Sequence, residues 1–470
     1  MGLLGLASCR GGEPTSAAGG AIVLITFDSL RADVVGGLGG EPGLTPNLDA
    51  LLRDADWGGR AIAPSSLGVS SMASLFTGLR PWQHQVLHEG NATLSRSLVT
   101  LPAALQSAGY KTAGFSGEGS YSKAFGYDHG FDELWDLGKG SEAAGRLKDL
   151  HGRRFVWIHV PEPAAPYVRR PSFEDRVDAG RVGGLPLPQR VAPNELAPYF
   201  DPAVPLPPEL KQRFWALYRQ NVAFADDRLG RFLQALRESG QWERTLLVVT
   251  STHGEEFGER HQILNGGNLG RQLLEVPLAV KLPAGSAFRI KVPKDRRVAA
   301  ARIWATLVEA AGGEVPPAVA PSLFHDAPSA VLSELYCVNG TNQLSLVDGG
   351  DQLFWEARFA PPEPEYWRAR LASMVRGNAE IARATLSEPP EAIFGRLLAA
   401  FRVTPPLHGR GKPKLTLERW VGLGTQSVPL GDPGRTAALA QLLVRQWNEF
   451  LPGEPAPGAE AREWYTAELP

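Results

Sequence analysis

Two apolar, strand-like runs of this sequence end in side chains that could do acid–base or metal chemistry. The run at 246–251 is followed by Thr252 and His253, and the run at 21–27 is followed by Asp28. Ligands bind at the carboxyl ends of strands in open α/β folds, so we expect Asp28 and His253 to share one edge of a sheet. Both could bind a metal, whereas the threonine beside His253 is a poor partner for a divalent cation. The sequence therefore predicts either a working metal site or its remnant.

The composition is that of an ordinary globular protein. Of 470 residues, 43% are hydrophobic and 21% are charged, and 48 basic against 50 acidic side chains give a net charge of −2. This length predicts two or three domains, and the lack of a basic excess disfavours nucleic acid as a partner. Beyond the N-terminal stretch, no segment reaches the roughly 20 apolar residues that a membrane-spanning helix needs.

The first 20 residues predict export. Leu6 to Cys9 follow a short apolar run and resemble the lipobox of bacterial lipoproteins, in which the cysteine is lipidated. The run lacks the basic residues of an export signal and is short, so translation could start further upstream. We expect a periplasmic or outer-membrane lipoprotein anchored at Cys9, with residues 1–20 as signal and flexible tether and no other membrane contact. The alternative is that Cys9 and Cys337 are unrelated reduced thiols.

Strand-like and helix-like segments alternate between residues 21 and 330. This alternation predicts an α/β domain with a mostly parallel sheet between helices. The amphipathic pattern at 209–240 predicts one long helix or two in series. Residues 331–470 predict a smaller C-terminal α+β part, with a hairpin around 348–350 and a closing helix at 437–451.

Eight segments occur in the order typical of one enzyme family. They read ITFDSLRAD, TPNLDAL, APSSLGVSSMASLFTGLRPWQHQV, TLPAALQSAGYKTAGF, FGYDHGFDE, HVPEPAAPY, TLLVVTSTHGEEFGE and LLEVPLAVKLP. Over residues 21–340 the chain therefore resembles the sulfatase-like branch of the alkaline phosphatase superfamily. The resemblance implies the alkaline-phosphatase/sulfatase-like α/β fold. It also implies hydrolysis of sulfate or phosphate esters, in which one or two divalent metals activate a Ser, Thr or modified Cys nucleophile.

This chain retains only some of the site residues that the family's motifs carry. Asp28 and His253 stand at metal-ligand positions and are retained. The family's nucleophile stands ten residues before Gly78, where this chain has Gly68. The aspartate that precedes the family's histidine is replaced by Thr252.

Two further ligand positions differ from the family. The loop after the middle strand has Glu162 in place of an aspartate and Ala164 in place of a histidine, and the histidine expected before LLEVPL is Gly266. The resemblance thus implies that the nucleophile, one aspartate and two histidines are missing. The metal site would then retain Asp28, His253 and at most Glu162.

Two hypotheses about function follow. The leading one is a sulfatase-like pseudoenzyme without a metal cofactor, which acts by binding a partner protein or an anionic glycan or lipid. The alternative is an active sulfatase or phosphoesterase that uses Ca²⁺, Zn²⁺ or Mn²⁺, with Glu162 as a substitute ligand and Ser66 or Ser70 as nucleophile. Serines at these positions, and Ser71, more often cap the helix that follows.

Basic side chains could neutralise the vacated site. Without a metal, we expect Asp28 to pair with His253 or Arg31, which would raise the pKa of the imidazole. Arg31 and Lys111 could also reach an anion in the pocket, although pairing at the surface is commoner for such residues.

Three other histidines are weaker candidates. His84 and His88 are expected to be structural or to lie at the rim of the site. His261 could replace a lost ligand only if its loop folds back towards Asp28.

Overall fold

The helices and strands of a computed structural model follow the alternation expected from the sequence. The structure describes residues 20–87, 93–136, 140–177, 181–182, 185–200, 204–338, 341–358, 414–420 and 427–449. The strands are β1 (Ile22–Asp28), β2 (Trp57–Ile62), β3 (Lys111–Ser116), β4 (Glu133–Asp136), β5 (Arg154–Pro163), β6 (Tyr167–Val168), β7 (Arg181–Val182), β8 (Leu185–Pro186), β9 (Arg190–Val191), β10 (Leu246–Ser251), β11 (Glu256–Phe257), β12 (Ile263–Leu264), β13 (Glu275–Lys281), β14 (Val298–Ala299), β15 (Val331–Val338), β16 (Thr341–Asp348), β17 (Asp351–Arg358), β18 (Lys414–Trp420) and β19 (Ser427–Pro429). The helices are α1 (Pro46–Asp54), α2 (Gly68–Thr77), α3 (Pro81–His84), α4 (Leu101–Ser107), α5 (Gly140–Lys148), α6 (Glu174–Val177), α7 (Pro208–Glu238), α8 (Arg271–Leu274), α9 (Arg302–Ala310) and α10 (Pro433–Glu449).

The main sheet confirms the predicted fold class. Its strand order is β14-β2-β13-β10-β1-β5-β3-β4, and β1 lies between β10 and β5, parallel to both. Within the described strands of this sheet, β13 alone runs antiparallel to its neighbours, β10 and β2. The carboxyl ends of β1, β5 and β10 therefore meet at one edge, as the sequence predicted.

Hydrophobic side chains of β1 point alternately to the two faces of the sheet. Ile22 and Leu24 join the core under α2, α4 and α9, whereas Val23 and Ile25 join the core under α1, α5 and α7. A strand that is buried on both faces is read in the sequence as a continuous apolar run, as in residues 22–27.

The C-terminal part contains a second, antiparallel sheet. Strands β15 to β19 pair in chain order, and the turn between β16 and β17 lies at Gly349 and Gly350. Helix α10 packs Leu439 and Leu443 against the sheet residues Leu353 and Leu417. Both the predicted hairpin and the closing helix are therefore confirmed.

The amphipathic pattern after residue 208 forms one helix, α7, rather than two in series. It ends at Glu238, and Gly240 follows with a φ of 69°, a left-handed conformation that suits glycine. Across the described ranges, no helix is both long and apolar enough to cross a membrane. Cys9 lies outside the described residues, so the lipid anchor stays a prediction.

Candidate functional site

Asp28 and His253 lie side by side at the carboxyl edge of the main sheet. Strands β1 and β10 pair in register up to Phe27 and Ser251, so the next residues of both strands leave the sheet together. His253 Nε2 lies 3.1 Å from Asp28 Oδ1, and the Thr252 hydroxyl donates to the same oxygen at 2.7 Å. The expected pairing of Asp28 with His253 is therefore found.

Electrostatics favour the charged forms of both partners. Burial alone would raise the pKa of Asp28, but the hydrogen bond and charge of His253 hold it at about 2. Burial would also lower the pKa of His253, but the hydrogen bond and charge of Asp28 raise it above the usual 6.5. His253 Nδ1 lies 2.6 Å from the carbonyl oxygen of Gly254. Since both ring nitrogens face acceptors, the imidazolium form is the one that this site accommodates.

Gly68, the first residue of α2, lies directly beside this pair. A Cβ added to Gly68 would lie 3.2 Å from His253 Nε2 and 3.5 Å from Asp28 Oδ1. The same Cβ would approach the Tyr121 hydroxyl to 2.8 Å, closer than real Cβ contacts come. The backbone at the family's nucleophile position thus lies at the expected place, but Tyr121 fills the space that a side chain would need.

The neighbouring serines make structural hydrogen bonds. Ser70 donates to the carbonyl of Val86 at 2.7 Å, and Ser71 donates to the carbonyl of Ser65 at 2.7 Å. The expectation that they cap α2 is wrong, because the N-cap residue is Leu67 and these serines already lie inside the first turn.

Ser66 differs from its neighbours. Its side chain is buried, and its hydroxyl has no hydrogen-bond partner among the described residues. Of the two serines in the rival hypothesis, Ser66 is therefore the one whose hydroxyl is not already used.

Glu162, near the end of β5, forms ion pairs with two arginines. Its carboxylate forms ion pairs with Arg228 Nη1 at 2.7 Å and with Arg170 Nη2 at 3.3 Å. The Arg170 guanidinium in turn lies over the Phe224 ring at 3.9 Å. Two cations already neutralise the carboxylate, so Glu162 is poorly suited to replace a metal ligand.

The loop that follows His253 does not present a histidine position to Asp28. Gly266 has a φ of 68°, a conformation that strains residues with a side chain. A Cβ added to Gly267 would lie 1.5 Å from the side-chain oxygen of Gln262, which occupies that space. His261 is exposed, whereas Asp28 and His253 are buried, so this loop does not supply His261 as a substitute ligand.

Arg31 does not pair with Asp28. Its buried guanidinium binds Asp33 at 2.7 Å and Glu259 at 2.8 Å, and it donates to the carbonyl of Glu255 at 3.0 Å. Burial opposes the charge, but Asp33 and Glu259 outweigh burial and raise the pKa of Arg31. The alternative pairing given by the sequence is therefore wrong, because nearer carboxylates already bind this cation.

Lys111 and His84 both lie away from Asp28 and His253. Lys111 begins β3, so it lies at the amino edge of the sheet and not at the edge of Asp28, and the expectation that it could reach an anion there is wrong. His84 is buried, with Nε2 at 2.9 Å from the Ser74 hydroxyl, and burial lowers its pKa to about 3. A neutral, hydrogen-bonded histidine is structural, as expected. His88 lies outside the described residues.

Sequence reasoning missed two groups near the site, His159 and Tyr121, whereas Glu255 follows β10 at the edge where ligands were expected. His159, in β5, bonds Thr26 through Nδ1 at 2.9 Å, while its Nε2 has no partner among the described residues and burial lowers its pKa to about 4. The ring of Tyr121 packs edge-on against His159 at 4.8 Å. Glu255 is buried, and burial raises its pKa to about 7 against the opposing charge of His253. A histidine inside an apolar strand was the one available sequence signal.

The donor set does not fit a metal ion. Asp28 Oδ1 already accepts two hydrogen bonds, and the raised pKa of His253 favours the protonated imidazole, which cannot bind a metal. Over the residues that the structure describes, no cluster of three or more His, Cys, Asp or Glu side chains could hold a metal. A catalytic divalent ion needs more deprotonated ligands than this site offers.

Comparison with known proteins identifies the family. A family model described as Sulfatase matches residues 21–154 and 151–313 of this chain. The chain therefore belongs to the sulfatase family. Its structural neighbours include sulfatases and phosphonate monoester hydrolases of the alkaline phosphatase superfamily.

Two curated relatives match parts of the chain. The multifunctional alkaline phosphatase superfamily protein PehA of Trinickia caryophylli is 32% identical over 128 residues, which are 26% of this chain and 24% of the relative. The uncharacterized sulfatase YidJ of Escherichia coli (strain K12) is 24% identical over 331 residues, which are 58% of this chain and 64% of the relative. The matches thus span less than two thirds of either relative.

Two solved structures share the fold at low identity. A putative sulfatase from Bacteroides thetaiotaomicron VPI-5482 has a TM-score of 0.57 and 17% identity, with 82% of this chain and 95% of the other covered. The phosphonate monoester hydrolase of Agrobacterium radiobacter has a TM-score of 0.55 and 18% identity, with 77% and 96% covered. At these identities the likeness shows the fold alone.

Proposed function

We propose that this chain is a sulfatase-family pseudoenzyme that has lost ester hydrolysis and acts by binding a partner protein or an anionic glycan or lipid. The observation that carries the proposal is Gly68. It stands beside Asp28 and His253, where a nucleophile would have to be, and has no side chain. Attack on an ester needs a nucleophilic atom roughly 3–3.5 Å from the reacting centre.

The groups that remain near Gly68 do not replace the lost nucleophile. Asp28 is bound to His253 and Thr252, and Ser70 donates to a backbone carbonyl. Catalysis by covalent attack needs a nucleophile together with a base that accepts its proton. His253, with both nitrogens facing acceptors, is not such a base.

Retention of the fold without its chemistry favours a binding role. His253 and Thr252 both bond to Asp28 and hold its carboxylate in one position at the edge of the sheet, so the geometry of the site is kept although its nucleophile is absent. At the same edge, Arg170 and Arg228 both pair with the single carboxylate of Glu162. This group of three side chains therefore has a net positive charge, which suits an anionic ligand. We further propose export as a lipoprotein anchored at Cys9, with no nucleic-acid partner and no resident metal.

The rival function is an active hydrolase in which Glu162 and a serine replace the lost groups. The unpartnered hydroxyl of Ser66 favours it. The two arginines on Glu162 argue against it, because a carboxylate paired with two cations is a weak metal ligand.

A hydrolysis assay separates these two functions. Purified full-length protein is tested on p-nitrophenyl sulfate, p-nitrophenyl phosphate, bis-p-nitrophenyl phosphate and p-nitrophenyl phenylphosphonate with added Ca²⁺, Zn²⁺ or Mn²⁺. The proposal expects the same background rate for the native protein, Asp28→Ala and the exposed-site control Asp54→Ala. Turnover that disappears in Asp28→Ala but survives in Asp54→Ala would establish the rival function.

A binding assay tests the proposed role itself. Heparin and phosphatidylglycerol vesicles serve as anionic probes, with phosphatidylcholine vesicles as the neutral control. The proposal for an anionic ligand expects retention by at least one anionic probe, weakened by Arg170→Ala. Equal binding to neutral and anionic probes would remove the anionic ligand from the proposal.

A further inference from the structure

A cavity of about 120 Å³ lies at the opposite end of α2 from Asp28. It is lined by Ile62 at the end of β2, by Gly78 after α2, by Arg302 at the start of α9 and by Val331 at the start of β15. Helix α2 spans ten residues, which separates Gly68 from this cavity by roughly 15 Å. The cavity is therefore distinct from the site at Asp28.

Arg302 brings a buried cation into this cavity. The residue is 5% exposed, and Nε donates to the carbonyl of Pro321 at 2.8 Å, while Nη2 donates to the carbonyls of Ser322 at 2.6 Å and His325 at 2.7 Å. Nη1 takes part in none of these bonds. No carboxylate lies within ion-pair distance of Arg302 among the described residues, so the groups in direct contact with its charge are backbone carbonyls.

The remaining charges around the cavity are mostly positive. Lys291 and Arg296 also line it, and neither forms an ion pair within the described part of the chain. Arg80 and Arg297 line it too, but both are already paired with buried glutamates. Asp326 is the single carboxylate among the lining residues that the structure describes.

We propose that this cavity binds a small amphiphile with one anionic headgroup and a short alkyl chain. A buried guanidinium is stabilised by an anion that accepts from its remaining N–H groups, here those of Nη1, because carbonyls cannot neutralise its charge. Most of the remaining lining is apolar, including Ile62, Val292, Val298 and Leu332, and would contact the alkyl chain. The combination of one buried cation with apolar walls matches this class of ligand.

The titration of Arg302 agrees with this assignment. Burial, followed by the charge of Arg296, lowers the pKa of Arg302 to about 10, and Asp326 opposes the shift only in part. A bound anion would act in the same direction as Asp326 and return the pKa towards its ordinary value.

Calorimetric titration of the full chain with octanoate tests the proposal. Octyl sulfate tests a second headgroup, octanol lacks the charge, octyltrimethylammonium reverses it, and acetate lacks the chain. We expect octanoate or octyl sulfate to bind at least about tenfold more tightly than each of the other three, with the tighter of the two identifying the headgroup.

Three variants locate the site. Arg296→Glu reverses an exposed charge and should weaken binding roughly fivefold, whereas Arg289→Glu, an exposed arginine outside the lining, should not. Ala320→Phe fills the cavity without changing its charge and should abolish binding. Arg302 is left intact because its loss would free three buried carbonyls. Octanol binding as tightly as octanoate, no binding of either anionic amphiphile, or unchanged affinity in Ala320→Phe would overturn the proposal.

Discussion

His253 Nε2 and Asp28 Oδ1, 3.1 Å apart at the carboxyl edge of the main sheet, form a buried ion pair next to a glycine. In this chain the carboxylate and the imidazole neutralise each other. The family chemistry implied by the sequence needs a cation and a nucleophile at this place. The pair supplies a counter-charge to each of these two buried side chains at retained ligand positions.

Removing one partner of the pair should be costly and pH-dependent. Asp28→Asn leaves His253 buried without its counter-charge, and we expect a loss of about 3 kcal/mol in the free energy of unfolding near pH 5. The contribution of Asp28, whose pKa is lowered, is present above its unfolded value of 3.8 and lost as the pH falls towards 2. The contribution of His253, whose pKa is raised, is present below 6.5 and lost as the pH rises through its folded-state pKa.

Urea unfolding at about pH 5 and about pH 9 checks this expectation. The difference in the free energy of unfolding between the native protein and Asp28→Asn should be smaller at the higher pH. The matched control is Thr252→Val, which removes one hydrogen bond to the same oxygen but no charge, and should cost about 1 kcal/mol at either pH. A pH-independent cost for Asp28→Asn would show that His253 is neutral in the folded protein.

Tyr121 should determine whether a side chain fits at residue 68. Gly68→Ala places a Cβ 2.8 Å from the Tyr121 hydroxyl, so we expect a loss of roughly 1–3 kcal/mol from overpacking. Tyr121→Phe removes that oxygen. In a double-mutant cycle, the cost of Gly68→Ala should be smaller in the Tyr121→Phe background, with a coupling of at least about 0.5 kcal/mol. Additive effects would mean that another group fills the space.

Glu256 should destabilise the protein as the pH rises. Burial raises its pKa to about 8, so the folded state holds its proton more tightly than the unfolded state, whose value is 4.5. A raised carboxyl pKa makes stability fall between these two values and level off above the higher one. Glu256→Gln should remove this decline. The free energy of unfolding of the variant, relative to that of the native protein, should be at least about 1 kcal/mol higher near pH 8 than at about pH 4.5. The exposed Glu314→Gln is the control, and parallel pH profiles for all three proteins would contradict the expectation.

The sequence predicted the positions of site residues well wherever strand direction or helix length determines them. Parallel pairing of β1 with β10 brings Asp28 to His253. The ten-residue spacing between Gly68 and Gly78 equals the length of α2, so Gly68 begins this helix and Gly78 follows its end. Lys111 was misplaced because a side chain at the start of a parallel strand lies at the opposite edge.

Other features depend on tertiary contacts that no local pattern signals. Tyr121 reaches the site from a short 3-10 turn without periodicity, so its place beside Gly68 could not be read from the sequence. The partners of Arg31 include Glu259, which is remote in sequence. The serines after Leu67 match a capping composition, yet they bond to Ser65 and Val86.

Partial restoration should be easier at some positions than at others. Thr252→Asp and Gly68→Ser restore an anion and a hydroxyl where the backbone still lies beside Asp28, and Tyr121→Phe makes room for the serine. Two carboxylates at close range repel unless a cation joins them, so we expect the triple variant to bind Ca²⁺ or Mn²⁺ more tightly than the native protein. Histidine at Gly266 should add little, because its φ of 68° strains residues with a side chain. Isothermal titration with each ion checks this, and equal affinity for the native and triple-variant proteins would contradict it.

Metal content tests the loss of the family chemistry most directly. Native protein and Asp28→Ala are dialysed in parallel against Ca²⁺, Zn²⁺ or Mn²⁺, freed of unbound ions and measured by elemental analysis. Because Asp28 is engaged by His253 and Thr252, and the described residues offer no third ligand, we predict no more metal on the native protein than on the variant. A stoichiometric metal on the native protein that is lost in Asp28→Ala would show instead that the site still binds the ion on which the family's hydrolysis depends.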